Sequence, residues 1–224
     1  MMSGRNRSKS VNKHLMKLSQ IIYLIIIFFF LSCKEKPERN EAKKPRIGAE
    51  NIVEIDTSKL YQRINIPYYE NDKLVQEYEV YVSKKNDTFW NTWKFYKDNK
   101  LDKSKSKYFD FNITGNKNDS ILKGIVSIYS PADSIPESQI SSREITFVYL
   151  QKEKDSLIFK EIITDKSTIE FDYKNFENYS FEGHITDLRF IKIDSTTDKL
   201  LLNRNYFTID TKVSTNNAFV DLLK

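Results

Sequence analysis

Past residue 33 the chain offers little that can carry a proton or attack a carbonyl. Its one histidine there is His184, in Phe181-Glu182-Gly183-His184-Ile185-Thr186-Asp187. A Ser-His-Asp hydrolase needs a nucleophile elbow, and no Gly-x-Ser-x-Gly occurs. Cys33 is the lone cysteine, so no intramolecular disulfide and no multi-cysteine metal site can form. One histidine among scattered acids is too few ligands for zinc. The four glycines beyond the leader are well separated and cradle no phosphate. His184 therefore reads as a strand-edge residue with a satisfied hydrogen bond, and no catalytic residue, metal or cofactor is expected. Carboxylates are the remaining catalytic resource. Glu170, Asp172, Glu182 and Asp187 stand in strand-like stretches, where two brought within about 5–10 Å would suit glycoside hydrolysis. For binding, the residues that matter are Tyr81, Trp90 and Tyr96.

The elements that would position these groups have a period of two. Phe109, Phe111 and Ile113 alternate with Tyr108, Asp110 and Asn112, and Ile169, Phe171 and Tyr173 alternate with Glu170 and Asp172. Half-buried strands give this pattern and helices do not. Strands are predicted over 52–55, 74–83, 88–97, 105–113, 121–129, 144–152, 157–163, 168–173, 185–193 and 200–209, separated by polar turns. A short helix is predicted over 218–223, with Ser214 or Thr215 as its cap. Such spacing favours an all-β fold, an antiparallel β-sandwich or open barrel with a short C-terminal helix.

One hairpin can be given a register. With Lys84–Asp87 as a four-residue turn, one face sets Val82 by Phe89, Val80 by Asn91 and Tyr78 by Trp93. The other sets Tyr81 by Trp90, Glu79 by Thr92, Glu77 by Lys94 and Val75 by Tyr96. Tyr81, Trp90 and Tyr96 then share a face. If solvated, it is an aromatic strip suited to stacking on a sugar or anchoring a protein; if a second sheet covers it, the three are core. Residues 69–74 and 96–101 share a Tyr-x-polar-polar-Lys-Leu pattern with Asn/Asp-rich hairpin tips. With Trp93 this resembles MORN-like repeats over 69–74 and 93–101, although the repeat's glycine is missing from both copies.

The leader is the most specific signal. Ile21–Leu31 is an unbroken apolar run of eleven residues behind Arg5, Arg7, Lys9, Lys13 and Lys17, with no acid before Cys33. A bilayer-spanning helix needs about 20 residues, whereas a secretory signal core has about 7–15. Phe30-Leu31-Ser32-Cys33 resembles the lipobox of bacterial lipoproteins. The resemblance implies cleavage between Ser32 and Cys33 and acylation of Cys33, leaving it as the lipid-bearing N-terminus. An uncleaved anchor is the alternative. Met16-Lys17-Leu18-Ser19 with the apolar run forms a complete short signal, so translation is expected to start at Met16.

Residues 34–50 are charged, with two prolines and no apolar period, and are expected to form a tether to a single β-rich domain over 51–224. Lys34-Glu35-Lys36 partly resembles the charged export signal of surface lipoproteins. The chain's formal net charge of +5 comes wholly from the leader's five basic residues. The remainder is neutral, so basicity gives no case for nucleic acid binding.

These features lead to an expectation: an exported, lipid-anchored lipoprotein of the cell envelope, placed in the outer membrane and facing periplasm or surface. Its partners would be the membrane through Cys33 and an envelope protein or glycan. It would act by binding or as a structural component, with a carboxylate-dependent hydrolase as the alternative.

Overall fold

The computed structural model describes residues 46–47, 58–116, 118–154, 156–174, 180–193 and 199–224. The period-two stretches are strands, in three antiparallel sheets. The first sheet runs β1 (Arg46–Ile47), β2 (Tyr61–Glu70), β3 (Lys73–Ser83), β4 (Thr88–Lys97) and β5 (Lys100–Leu101) in that order. The second is built from β6 (Tyr108–Thr114), β7 (Ile121–Tyr129) and β10 (Thr168–Lys174), in the order β10-β7-β6. The third holds β8 (Ile140–Glu153), β9 (Ser156–Thr164), β11 (Glu182–Lys192) and β12 (Leu200–Asp210), in the order β12-β11-β8-β9. A last short strand, β13 (Ser214–Thr215), returns to pair with β2. The fold is all-β, as the alternation predicts.

The second and third sheets form the sandwich. Alternate residues Leu122, Val126 and Ile128 of β7 and Ile169, Phe171 and Tyr173 of β10 face Ile145, Phe147 and Tyr149 of β8, Ile185 of β11, and Phe207 and Ile209 of β12. Phe181 lies among the rings of Phe111, Phe147, Tyr149, Phe171 and Tyr173, at 4.7–6.2 Å. The Phe171 ring lies over its cross-strand partner Gly124, where an added Cβ would fall 2.2 Å from it. Any side chain at 124 would have to displace that ring from the core.

The first sheet joins this sandwich through β4, whose Trp93 pairs with Lys107 just before β6. Its second link is the 3-10 helix Ala218–Leu223, which meets β4, β11 and β12. The helix lies where the sequence places it, but its cap is Asn217, whose side chain accepts from the Phe219 N–H. Tyr61, Tyr81, Phe89 and Val220 form the small apolar cluster at this junction.

β2 escapes prediction because Pro67 interrupts it. The proline is tolerated because, among the described residues, β13 pairs with Tyr61 and Gln62 and β1 with Tyr68 and Tyr69, so Pro67 faces no neighbour on that side. Both Asn/Asp tips are two-residue turns of positive φ, Asn71 and Asp72 at 49° and 62°, Asp98 and Asn99 at 52° and 60°. These match type I′ hairpins, and they show how Asn and Asp fill such turns without glycine. The stretch 52–55 and Cys33 lie outside the described residues.

Candidate functional site

The β3–β4 hairpin decides where the aromatic residues go. From Gln76 to Glu79 the register is the predicted one, with Tyr78 opposite Trp93, Glu79 opposite Thr92 and Glu77 opposite Lys94. Between Glu79 and Val80 it slips by one, so that Val80 faces Trp90 and Tyr81 faces Phe89. Asn91 is the extra residue of a β-bulge. Its side chain supplies the reason. The amide donates to Glu79 Oε1 at 2.6 Å and to the Thr208 carbonyl at 2.7 Å, and its oxygen accepts from the Thr208 N–H at 2.8 Å. A buried asparagine thus satisfies the outer edge of β12 and ties the first sheet to the sandwich.

That slip divides the predicted strip. A one-residue shift sends each side chain to the opposite face. Tyr81 is fully buried beside Phe89, while Trp90 is 50% exposed on the other side of the sheet. Tyr96 is half-buried and donates to Glu77 Oε2 at 3.1 Å. The three residues do not meet. A visible signal was the change of phase in Phe89-Trp90-Asn91-Thr92-Trp93, where two aromatics are followed by two polar residues.

A different aromatic surface takes their place. Across β2, β3 and β4 the register aligns Ile64–Val80–Trp90, Ile66–Tyr78–Trp93 and Tyr68–Gln76–Phe95 on one face. Tyr78 meets Trp90 edge to face at 5.3 Å and donates to Gln76 Oε1. Trp93 donates from Nε1 to the Lys105 carbonyl at 3.1 Å, which fixes its ring. None of the nine side chains is charged, and none joins either packed cluster. Of the nine, Val80 is buried, Ile64 and Trp90 are exposed, and the rest are half-buried. Apart from the buried Val80, and from Trp93 where it meets the buried Lys107, this apolar sheet face lies outside both packed clusters of the described domain.

The opposite face of the same sheet is polar at its outer end. Asn65, Glu77, Glu79, Thr92 and Lys94 line a cleft of about 110 Å³. Burial pushes the Glu79 carboxyl above its ordinary value, against the pull of Arg63 and Asn91. Glu77 and Glu79 share this face, roughly 7 Å apart along the strand. They are one pair of carboxylates that the fold brings together, and each already holds a partner, Asn91 on Glu79 and Tyr96 on Glu77.

The four acids singled out in the sequence are dispersed. Glu170 and Asp172 are exposed on β10, with Asp172 2.6 Å from Lys123. Glu182 and Asp187 stand five residues apart on β11, so they point to opposite faces roughly 17 Å from each other. Burial and then Asp210 raise the Glu182 carboxyl, while Lys212 lies 3.8 Å away. Asp187 is fully buried and gripped by two arginines. Arg143 donates from Nε and Nη2 at 2.8 and 3.1 Å, and Arg189 from Nη2 at 2.8 Å. Arg189 also reaches Asp133 at 2.5 Å, in the 3-10 turn Pro131–Ser134, so the quartet closes one end of the sandwich.

His184 needs a correction. It is not at a strand edge but in β11, flanked by β8 and β12, and its Nδ1 has no hydrogen-bond partner. It lies 6.0 Å from both the Tyr206 and Phe219 rings. Burial, with the Lys107 charge adding to it, pushes its pKa down to about 4, so the ring is neutral at pH 7. Lys107 is itself pushed down to about 8 by burial, donates to the Asn91 carbonyl at 2.9 Å and sits 4.9 Å from the Trp93 and Phe207 rings. This pair lies within the seam between the first sheet and the sandwich. Among the described residues no three His, Cys, Asp or Glu side chains are grouped to hold a metal.

No protein-family model, no curated protein and no solved structure matches the chain.

Proposed function

We propose that this chain is an exported lipoprotein of the bacterial cell envelope, held to the membrane by acyl chains on Cys33, whose β domain works by binding rather than by catalysis. The leader and Phe30-Leu31-Ser32-Cys33 support the anchor. The observation that carries the binding reading is the uncharged aromatic face of β2, β3 and β4, left outside both packed clusters. Exposed aromatic area of this kind is what partners use as an anchor. The carboxylate alternative rests on the Glu77–Glu79 cleft. At about 110 Å³ it is small beside the roughly 300–1,000 Å³ of ordinary ligand sites. Both carboxylates are also already hydrogen bonded, which favours binding over hydrolysis.

A photo-crosslinking amino acid at position 90 in growing cells tests this. Position 159 on β9 is the control, since Phe159 is 69% exposed but lies on another sheet. Adducts with protein, glycan or lipid are expected from position 90 and not from 159. Equal labelling at both positions would refute the assignment of the face.

A further inference from the structure

We infer that the surface received by the aromatic face is the lipid bilayer itself, so that the first sheet lies against the membrane–water interface. The inference rests on the binding reading of that face and names its partner. Three observations carry it.

The first is the residue types. Trp90, Trp93, Tyr68 and Tyr78 share the face with Ile64, Ile66 and Phe95. Tryptophan and tyrosine are the side chains that settle at the headgroup level, because their rings are apolar and their N–H or O–H groups want water. The chain has two tryptophans, and both are here.

The second is the placement of charge. The nine positions hold no charged side chain, and the ammonium beside them, that of Lys107 at 4.9 Å from the Trp93 ring, is buried in the seam and donates to the Asn91 carbonyl. Lys73, Lys97 and Lys100, with Asp72 and Asp98, are exposed at the turns that end the sheet. An apolar patch with charges at its end can enter the interface while keeping those charges in water.

The third is where the chain enters. β1 pairs Ile47 with Tyr68 and Arg46 with Tyr69, on the edge of this sheet. Arg46 follows Cys33 by thirteen residue steps, which even fully extended span at most roughly 45 Å. The chain thus enters this sheet at the edge carrying Tyr68, within that covalent reach of any lipid attached to Cys33, whereas β9, with its own exposed Leu157 and Phe159, is the end strand of another sheet.

The test uses the two tryptophans as they stand. Full-length protein is purified from membranes, placed in phosphatidylethanolamine–phosphatidylglycerol vesicles, and its emission compared with and without lipids brominated high on the acyl chain. A blue-shifted emission that loses most of its intensity to the brominated lipid is the expected result. Protein that floats with the vesicles but keeps its full emission overturns the inference. So does emission that shifts only when an envelope protein or glycan is added, although the binding reading would then survive. Intact mass reports separately on the anchor. A mature chain starting at an acylated Cys33 supports it, and an unmodified cysteine with quenched tryptophans removes the anchor while leaving the interfacial face standing.

Discussion

Asp187→Ala is expected to destabilise the domain by about 3–5 kcal/mol, the usual loss when one member of a buried ion pair is removed. The carboxylate is fully buried between Arg143 and Arg189, and Arg189 is 2% exposed with only Asp133 as a second acid. Deleting Asp187 leaves two guanidinium groups with one half-exposed partner at the closed end of the sandwich. Burial alone would raise the Asp187 carboxyl, yet the hydrogen bonds from Arg143 and Arg189 hold it below its ordinary value. Its contribution is thus present above the unfolded aspartate value and lost as pH falls through the lower folded one. Denaturant titration at pH 7 measures the loss. The double variant Asp187→Leu/Arg189→Met should recover much of it, because a buried charge no longer goes unpaired. A loss below about 1 kcal/mol in the single variant would mean that water already reaches the quartet.

Acid should weaken the fold through His184 before it reaches Asp187. The folded pKa of about 4 lies under the ordinary value of 6.5, so between those limits the unfolded chain binds the extra proton. Stability is then complete above the unfolded value and falls as pH drops from 6.5 towards 4. A shift of this size corresponds to roughly 3 kcal/mol. Glu79 and Glu182, whose carboxyls are raised by burial, act in the opposite sense above their unfolded value, so the His184 part must be isolated by difference. His184→Phe keeps an aromatic ring between Tyr206 and Phe219 and removes the titration. Plotted against pH, its stability should lack the drop that the parent shows over this window. Parallel curves would show that His184 is hydrated or already protonated in the native state.

These expectations show which parts of the molecule local sequence could express. Alternation wrote the sandwich plainly, because a strand buried on one face must repeat every two residues, as Phe109–Ile113 and Ile169–Tyr173 do. β3, β4 and β7 were legible for the same reason. What local pattern could not express was anything set by a distant partner. Asn91 bulges because the unpaired edge of β12 lies within reach, more than a hundred residues away in sequence. That single asparagine set Phe89 rather than Trp90 beside the buried Tyr81 and brought Trp90 beside Tyr78. Likewise Pro67 argues against a strand until β1 and β13 are seen, among the described residues, to leave its side of β2 open. The aromatic composition singled out the β3–β4 hairpin, and the bulge set which aromatic lies on which face.

The exposed part of the β2–β3–β4 face, around Trp90, should be open to solvent in the isolated protein and covered where the protein works. Hydroxyl-radical footprinting, read by mass spectrometry on purified protein and on intact cells, measures this residue by residue. Trp90 and Tyr78 should oxidise readily in the purified protein and be protected in cells, with Phe159 on β9 oxidised alike in both. Equal oxidation of Trp90 in the two states, or its protection already in the purified protein, would contradict the claim.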